Sequence, residues 1–321
     1  MKKVLLVFVI NVIYVGILLL TPSSKWYHVW EHEDVIEYYS ENISTDTGSY
    51  ANMPPGDTLR TVGYPLLLKL FMLSDNFPLW MLLFNCFLGA WMFFVVYQLI
   101  GYGAWILAFL GAFTIHVPMI LTDLLFAAIF VTAIWQVKKR LWLHFLLLGI
   151  ASLVRPSLAW FFVIEPAVLY FNGYRGRIIW LSLIITFLVT SFNPLRNYVN
   201  HGRWTHSTVL EYNIENRYGE TEYPKYLFLI DTFKTNCLDG HPAYLHKSFY
   251  DNGNVIGILA LLINFVLIII NIIIWMGFSS RVIRGDVNWG NLLMVAYFIG
   301  PSLFGSAGAR IRLPIEWILL M

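Results

Sequence analysis

Long apolar segments separated by short, basic connections constrain the fold of this chain more than any other feature. The first is VLLVFVINVIYVGILLL, directly after two lysines. Helices need ~20 such residues to cross a bilayer, or fewer when they are re-entrant. Hydrophobic residues make up 58% of the 321 residues and charged residues 12%, against about 25% charged in soluble domains. The sequence therefore predicts an all-α polytopic membrane protein with about ten transmembrane helices. The predicted spans are residues 4–20, 79–99, 104–118, 119–137, 141–154, 157–171, 178–193, 255–278, 289–304 and 311–321.

The distribution of Lys and Arg predicts the orientation of these spans. Cytoplasmic connections are enriched in both residues, and one set of short connections holds many bases with a single acid, Asp286. Its basic residues are Lys2, Lys3, Lys138, Lys139, Arg140, Arg175, Arg177, Arg281 and Arg284. The N-terminus is therefore expected in the cytoplasm. The first apolar run lacks a small-residue cleavage pattern, so we interpret it as an uncleaved span.

Two large segments are then external, residues 21–78 and 194–254, and the whole chain 1–321 forms one membrane domain. Both segments are rich in Tyr, Asn, His and acids. WYHVWEHEDVIEYYSENI has aromatic and apolar residues at helical spacing, which predicts an amphipathic helix on the membrane surface. YPLLLKLFMLS predicts a second one. Any chemistry is expected on this external face.

External arginines run against the positive-inside distribution, which suggests that they bind an anion. They are Arg60, Arg155, Arg196, Arg310 and Arg312. A single arginine at the membrane boundary is explained equally well by snorkelling. Several on one face fit a lipid phosphate, because the guanidinium fork matches phosphate oxygens. Asp123 stands at the start of a predicted span. Its three interpretations are a helix-terminal acid, a partner for an arginine and a substrate contact. Glu165 and Glu316 lie deeper, and pairing with a neighbouring arginine is the simplest explanation for them.

Acids and histidines concentrate just after the first span. An acid cluster is formed by Glu31, Glu33, Asp34 and Glu37. Its acids belong to a solvated loop, bind a metal or include a catalytic base. Histidines come in spaced pairs: His28 and His32, His201 and His206, His241 and His246. The pairs allow a divalent metal, but no third ligand stands at a telling spacing, so we expect no metal cofactor. The chain has no basic run, so we expect no nucleic-acid partner.

Several short motifs occur in a recognisable order along the chain. They are DVIEY, RTVGYPLLLKLF, TDLLFAAIF, GIASLVRPSLAWFFVIEP, NPLRNYVNHGRW and RIRLP. Together they resemble the GT-C fold glycosyltransferases that use a polyprenyl-phosphate sugar, a group that includes protein O-mannosyltransferases and the aminoarabinose transferase of lipid A. The likeness covers nearly the whole chain. Val35, Val62 and Asp123 stand where many members have Glu, Pro and Glu, which leaves the sugar and the acceptor open.

The resemblance implies an inverting transfer of one monosaccharide to an acceptor hydroxyl on a lipid, glycan or protein, at the external (periplasmic) face of a bacterial inner membrane. A phosphate is a good leaving group, so one carboxylate base and cations for the phosphate suffice. Asp34 is the expected base, with Glu33 and Glu37 as helper or surface groups. The expected substrate-binding residues are Arg60, Arg196 and Arg310 for the phosphate, then Arg155 and Arg312, with Asn197, Tyr38, Tyr64 and Asp123.

Two other functions remain open from the sequence. A membrane O-antigen or capsule polymerase shares the lipid substrate and the large external segments, but transfers an oligosaccharide. A non-enzymatic carrier or flippase of polyprenyl-linked sugars also needs arginines near a lipid phosphate. A carrier requires polar residues at mid-membrane and access from both sides. The predicted spans are nearly free of charge at their centres, which favours an enzyme.

Overall fold

A computed structural model describes residues 1–22, 24–32, 34–43, 50–53, 61–119, 121–158, 160–207, 255–299 and 313–321. Throughout these ranges the regular structure is helical. Four helical stretches are long and apolar enough to cross a membrane: Lys2–Leu20, Phe77–Phe109, Arg177–His201 and Phe265–Ile283. The prediction of an all-α membrane protein is confirmed at this level. The other apolar helices in the described part are shorter.

The helices are numbered in chain order. They are α1 Lys2–Leu20, α2 Val35–Tyr38, α3 Gly63–Phe71, α4 Phe77–Ile100, α5 Ala104–Phe109, α6 Thr122–Gln136, α7 Leu141–Val154, α8 Phe161–Phe171, α9 Arg177–Thr190, α10 Phe192–His201, α11 Val255–Ile283 and α12 Trp289–Ile299. Short 3₁₀ turns cover Tyr27–Glu31, Gly101–Gly103, Pro156–Leu158 and Leu313–Leu320, and a π-turn covers Tyr39–Ile43.

Helix α6 lies at the centre of the bundle. It packs against α4, α7 and the turn Leu313–Leu320, and most of its side chains are buried. Helix α9 shows the opposite character, because Trp180, Ile184 and Leu188 form an exposed apolar stripe along it. An exposed stripe of this kind is explained by contact with lipid tails.

The predicted span over residues 104–118 is not one continuous helix. Helix α5 ends at Phe109, and turns follow to residue 118. Gly101, at φ 61°, reverses the chain after α4. The ring of Phe93 then packs on Trp105 at 4.7 Å and on Phe113 at 5.7 Å between centroids. The segment therefore folds back along α4 and is stabilised by aromatic contacts.

The surface helix predicted for residues 26–43 is interrupted. The 3₁₀ turn ends at Glu31, and α2 begins at Val35. Asp34 causes the interruption, because its Oδ1 accepts a hydrogen bond from the Glu37 backbone N–H at 2.9 Å and so starts a new helix. The second of these stretches, YPLLLKLFMLS, is helical as predicted and forms α3. The segment 194–254, which the sequence predicts to be external, is described only as far as Ser207.

Contacts between connections divide the bundle into two ends. At one end, which we call the basic end, Lys3 Nζ donates to the Tyr97 hydroxyl at 2.5 Å and Asn288 donates to the Phe171 carbonyl at 3.0 Å. At the other, which we call the loop end, the Trp26 indole donates to the Pro118 carbonyl at 3.3 Å.

One glycine provides a sharp test of this packing. A Cβ atom at Gly89 would lie 2.2 Å from the Phe113 carbonyl oxygen and 2.7 Å from Asn11 Nδ2. We expect Gly89→Ala to lower the free energy of unfolding by about 1–3 kcal/mol through overpacking, measured by SDS titration in detergent micelles. Gly16→Ala is the matched control, since its Cβ would meet nothing within 4 Å. Equal stability of the two variants would contradict the close approach of residues 110–118 to α4.

Candidate active site at the loop end

A buried ion pair joins α6 to the end of α7. Arg155 Nη1 donates to Asp123 Oδ1, and the two side chains are 18% and 5% exposed. Asp123 stands in the first turn of α6, where unpaired backbone N–H groups and the helix dipole favour an acid. Pro156 follows Arg155 and disfavours further helix there. Asp123 is therefore both a first-turn acid and the partner of an arginine, as the sequence analysis allowed.

Three tyrosines surround the carboxyl side of this pair. The Tyr64 ring meets Tyr50 edge-on with centroids 5.2 Å apart, and the Tyr50 hydroxyl lies 3.4 Å from Thr122 Oγ1. Tyr39 and Tyr64 are fully buried, and no hydrogen-bond partner reaches either hydroxyl. Burial, then the neighbouring Tyr50 and Asp123, raises the pKa of Tyr64 well above its usual value. Both phenols therefore stay protonated, at a cost of about 1–3 kcal/mol for each unsatisfied group.

Gly63 explains how Tyr64 reaches this position. A Cβ atom there would lie 2.6 Å from the Leu153 carbonyl oxygen and 2.8 Å from its carbon. Only a glycine lets α3 approach the end of α7 so closely. The GYP motif therefore combines a contact glycine, a buried tyrosine and Pro65 in the first turn of α3, where proline is tolerated.

Arg196 is a second cation, at the start of the segment 194–207. Asn197 is fully buried, and its Oδ1 accepts from Arg196 Nε at 3.0 Å and Nη2 at 2.7 Å. Asn197 Nδ2 donates to the Thr205 carbonyl at 2.8 Å. This bond is possible because Gly202, at φ 67°, turns the chain back after α10. The amide of Asn197 therefore orients the Arg196 guanidinium.

His206 is 8% exposed, and its carbonyl and the Arg196 guanidinium both contact the side-chain amide of Asn197. Among the described residues, neither of its ring nitrogens has a hydrogen-bond partner. Burial, and then the charge of Arg196, lowers the pKa of His206 to about 4. The imidazole is therefore neutral at physiological pH, with one N–H donor and one bare nitrogen.

Arg155 and Arg196 lie at the same end of the bundle. Asn193 donates to the Ser152 carbonyl at 3.0 Å, which joins α10 to α7. Arg155 comes three residues after Ser152, and Arg196 comes three residues after Asn193. Because both helices run toward the loop end, both arginines belong to that end of the bundle.

Asp34 stands apart from these cations. Its side chain is exposed and caps α2 through Oδ1. In the described part of the chain, no hydrogen bond or ion pair joins it to an arginine. The Tyr38 hydroxyl donates to the Lys25 carbonyl at 2.8 Å, and the next residue, Tyr39, is buried close enough to Tyr64 to raise its pKa. The segment that bears Asp34 is therefore anchored at the loop end, through Tyr38 to Lys25 and through Trp26 to Pro118.

The remaining predicted site residues are Arg60, Arg310, Arg312 and Glu33, which lie outside the described residues. Of the others, the structure joins Asp123 with Arg155 and Arg196 with Asn197, with Tyr64 near Asp123. Sequence reasoning missed Tyr39 and Tyr50, and it considered His206 only as half of a histidine pair. No local motif marks them, because burial and packing against distant segments, which give them their character, are not visible in the local sequence.

The first histidine pair does not converge on one point. His28 Nδ1 lies 2.7 Å from Glu31 Oε2, whereas the His32 ring stacks on Tyr38 with centroids 4.3 Å apart. Among the described residues, no group of three or more His, Cys, Asp or Glu side chains is arranged to hold a metal ion. His241 and His246 lie outside the described residues.

A separate polar cluster is buried between α7, α8 and α9. His144 Nε2 lies 2.9 Å from Glu165 Oε1, and both side chains are 1% exposed. His144 Nδ1 donates to the Ala133 carbonyl at 2.9 Å, and Thr186 donates to Glu165 Oε2 at 3.5 Å. The expected arginine partner of Glu165 was therefore wrong: its partner is a histidine.

No family model, curated protein or solved structure matches this chain. Its function must therefore be argued from the chemistry of the loop end and from the sequence motifs.

The Asp123–Arg155 pair yields a stability prediction. Asp123→Asn leaves a buried guanidinium without its counter-charge, so we expect a loss of about 3 kcal/mol in the free energy of unfolding, at the low end for buried pairs because Arg155 retains some solvent. The matched control is Asp286→Asn, which breaks an exposed pair with Arg284 at 3.2 Å and should cost less than about 1 kcal/mol. Equal losses in SDS titrations would show that the Asp123–Arg155 pair is not buried.

Proposed function

We propose that this protein is an inverting glycosyltransferase of GT-C type that moves a monosaccharide from a polyprenyl phosphate to an acceptor hydroxyl at the loop end. One observation carries the proposal. The Asp123–Arg155 pair, the Arg196–Asn197 pair and the helix cap at Asp34 all belong to connections at the loop end of an apolar bundle, where Asn193 joins α10 to Ser152 of α7. A lipid-linked phosphate enters such a site from the bilayer, while a polar acceptor enters from water.

Asp34 acts as the base in this proposal. Its Oδ1 is held by the helix cap, which orients the carboxylate and leaves Oδ2 for the acceptor hydroxyl. As the acceptor oxygen attacks the anomeric carbon, Asp34 takes its proton and the bond from that carbon to the phosphate oxygen breaks. Attack from the face opposite the phosphate inverts the anomeric configuration.

The cations divide the remaining work. Arg196 binds the departing phosphate, because its guanidinium is oriented by Asn197 and such preorganised donors stabilise charge as it develops. Arg155 is paired with Asp123, and in this proposal it positions the site. Arg60 and Arg310 remain phosphate ligands and Arg312 a secondary one, on sequence grounds.

Asp34→Asn is a selective test of the base. Asparagine caps a helix as well as aspartate does, so α2 is retained while the base is lost. The purified chain is offered a panel of polyprenyl-phosphate monosaccharides with candidate acceptors, and release of free polyprenyl phosphate is followed by mass spectrometry. We expect one donor to be turned over by the wild type and at least about a hundredfold more slowly by Asp34→Asn.

Glu41→Gln is the matched control, since Glu41 is an exposed acid in the same segment, and it should retain wild-type turnover. Release that is unchanged in Asp34→Asn would exclude Asp34 as the base and direct the search to Glu33 or Glu37.

A carrier of polyprenyl-linked sugars is the second candidate, and one observation favours it. The buried His144–Glu165 pair provides the intramembrane ionisable group that transporters use. Proteoliposomes with a fluorescent polyprenyl-phosphate sugar distinguish the two functions. A transferase consumes the lipid without moving it between leaflets, whereas a carrier moves it unchanged, and Glu165→Gln slows that movement.

A further inference from the structure

The His206 side chain is the strongest unexplained polar feature in the described part of the chain. It is more than nine-tenths buried, and neither ring nitrogen has a hydrogen-bond partner. Its backbone, in contrast, is anchored, because the His206 carbonyl and that of Thr205 both face Asn197 Nδ2, at 3.4 and 2.8 Å. Buried polar groups are nearly always hydrogen-bonded, so an unsatisfied buried ring on an anchored backbone calls for a partner from outside the described residues.

The electrostatic setting defines the ligand. The positive charge of Arg196 disfavours a second cation at His206, so the ring presents one N–H donor and one bare nitrogen. The N–H and the guanidinium together suit a phosphate oxygen. The bare nitrogen needs a hydroxyl donor close to that phosphate. A sugar joined to a phosphate supplies both groups.

We propose that His206 and Arg196 form one binding site for a sugar phosphate, in which the imidazole N–H donates to a phosphate oxygen and the other ring nitrogen accepts from a sugar hydroxyl. The identification of the ligand as a lipid-linked donor rests on the proposed function. A soluble sugar phosphate has the same chemistry, so the experiment must separate the two sources. His206 binds the substrate here and takes no part in proton transfer.

The experiment measures dissociation constants by isothermal titration calorimetry of the full chain in detergent. The probes are a short isoprenyl phosphate, the same lipid carrying a monosaccharide, and a soluble sugar 1-phosphate. The variants are His206→Ala, His206→Gln and Arg196→Gln. Arg203→Gln is the control, since Arg203 is an exposed cation three residues before His206. Thermal unfolding of each variant checks that it is folded.

We expect His206→Ala to weaken binding of the glycosylated lipid by at least about tenfold. His206→Gln should retain most of the affinity, because an amide also offers a donor and an acceptor. In His206→Ala, the affinity for the bare isoprenyl phosphate should fall less than the affinity for the glycosylated lipid, since the bare lipid lacks the hydroxyl that the second ring nitrogen binds. Arg203→Gln should bind all three probes as the wild type does.

Other results overturn this site or the proposed function. If both His206 variants bind with wild-type affinity and Arg196→Gln binds weakly, a phosphate site exists but His206 is not part of it. Preference for the soluble sugar phosphate would reject the lipid as the source. Binding that depends on His206 without turnover of any donor would contradict the transferase and keep this site. Turnover that survives His206→Ala unchanged would contradict this site and keep the transferase.

Discussion

The ion pair between Asp123 and Arg155 is the interaction on which the loop end depends. It joins the start of α6, the most buried helix of the bundle, to the end of α7. Desolvation of two charges offsets much of their attraction, so the pair contributes more to position than to net stability. Contacts on both sides of it are equally specific, since Gly63 docks α3 on Leu153 and Tyr50 reaches Thr122. Together they define where a substrate is able to approach α6.

The two described arginines at the loop end are held by different groups. Arg155 contacts the carboxylate of Asp123, and Arg196 contacts the amide of Asn197. Burial, and then the charge of Arg196, lowers the pKa of His206, so its ring stays neutral. Tyr39 and Tyr64 stay neutral by burial. The described site therefore offers neutral donors around charged groups, an arrangement suited to a hydroxylated, anionic ligand such as a lipid-linked sugar.

Local sequence patterns predicted the parts of this structure that depend on local physics. Apolar length predicted helices, and YPLLLKLFMLS predicted the helix α3. They did not predict the interruption at Asp34, where a side-chain cap outweighs helical periodicity, or the reversal at Gly101, where backbone freedom and the ring of Phe93 decide the path. The partners of Glu165 and Tyr50 come from other helices, so no spacing in the sequence encodes them.

The central claim is that a lipid phosphate binds at the loop end, between the arginines and the segment that bears Asp34. The most direct measurement is a cryo-electron microscopy structure of the full chain in nanodiscs with a polyprenyl phosphate. This account predicts density for the phosphate within hydrogen-bonding distance of Arg196 and His206, with Asp34 on the same end of the bundle. A phosphate bound instead at the basic end, beside Lys2 and Lys3, would contradict it.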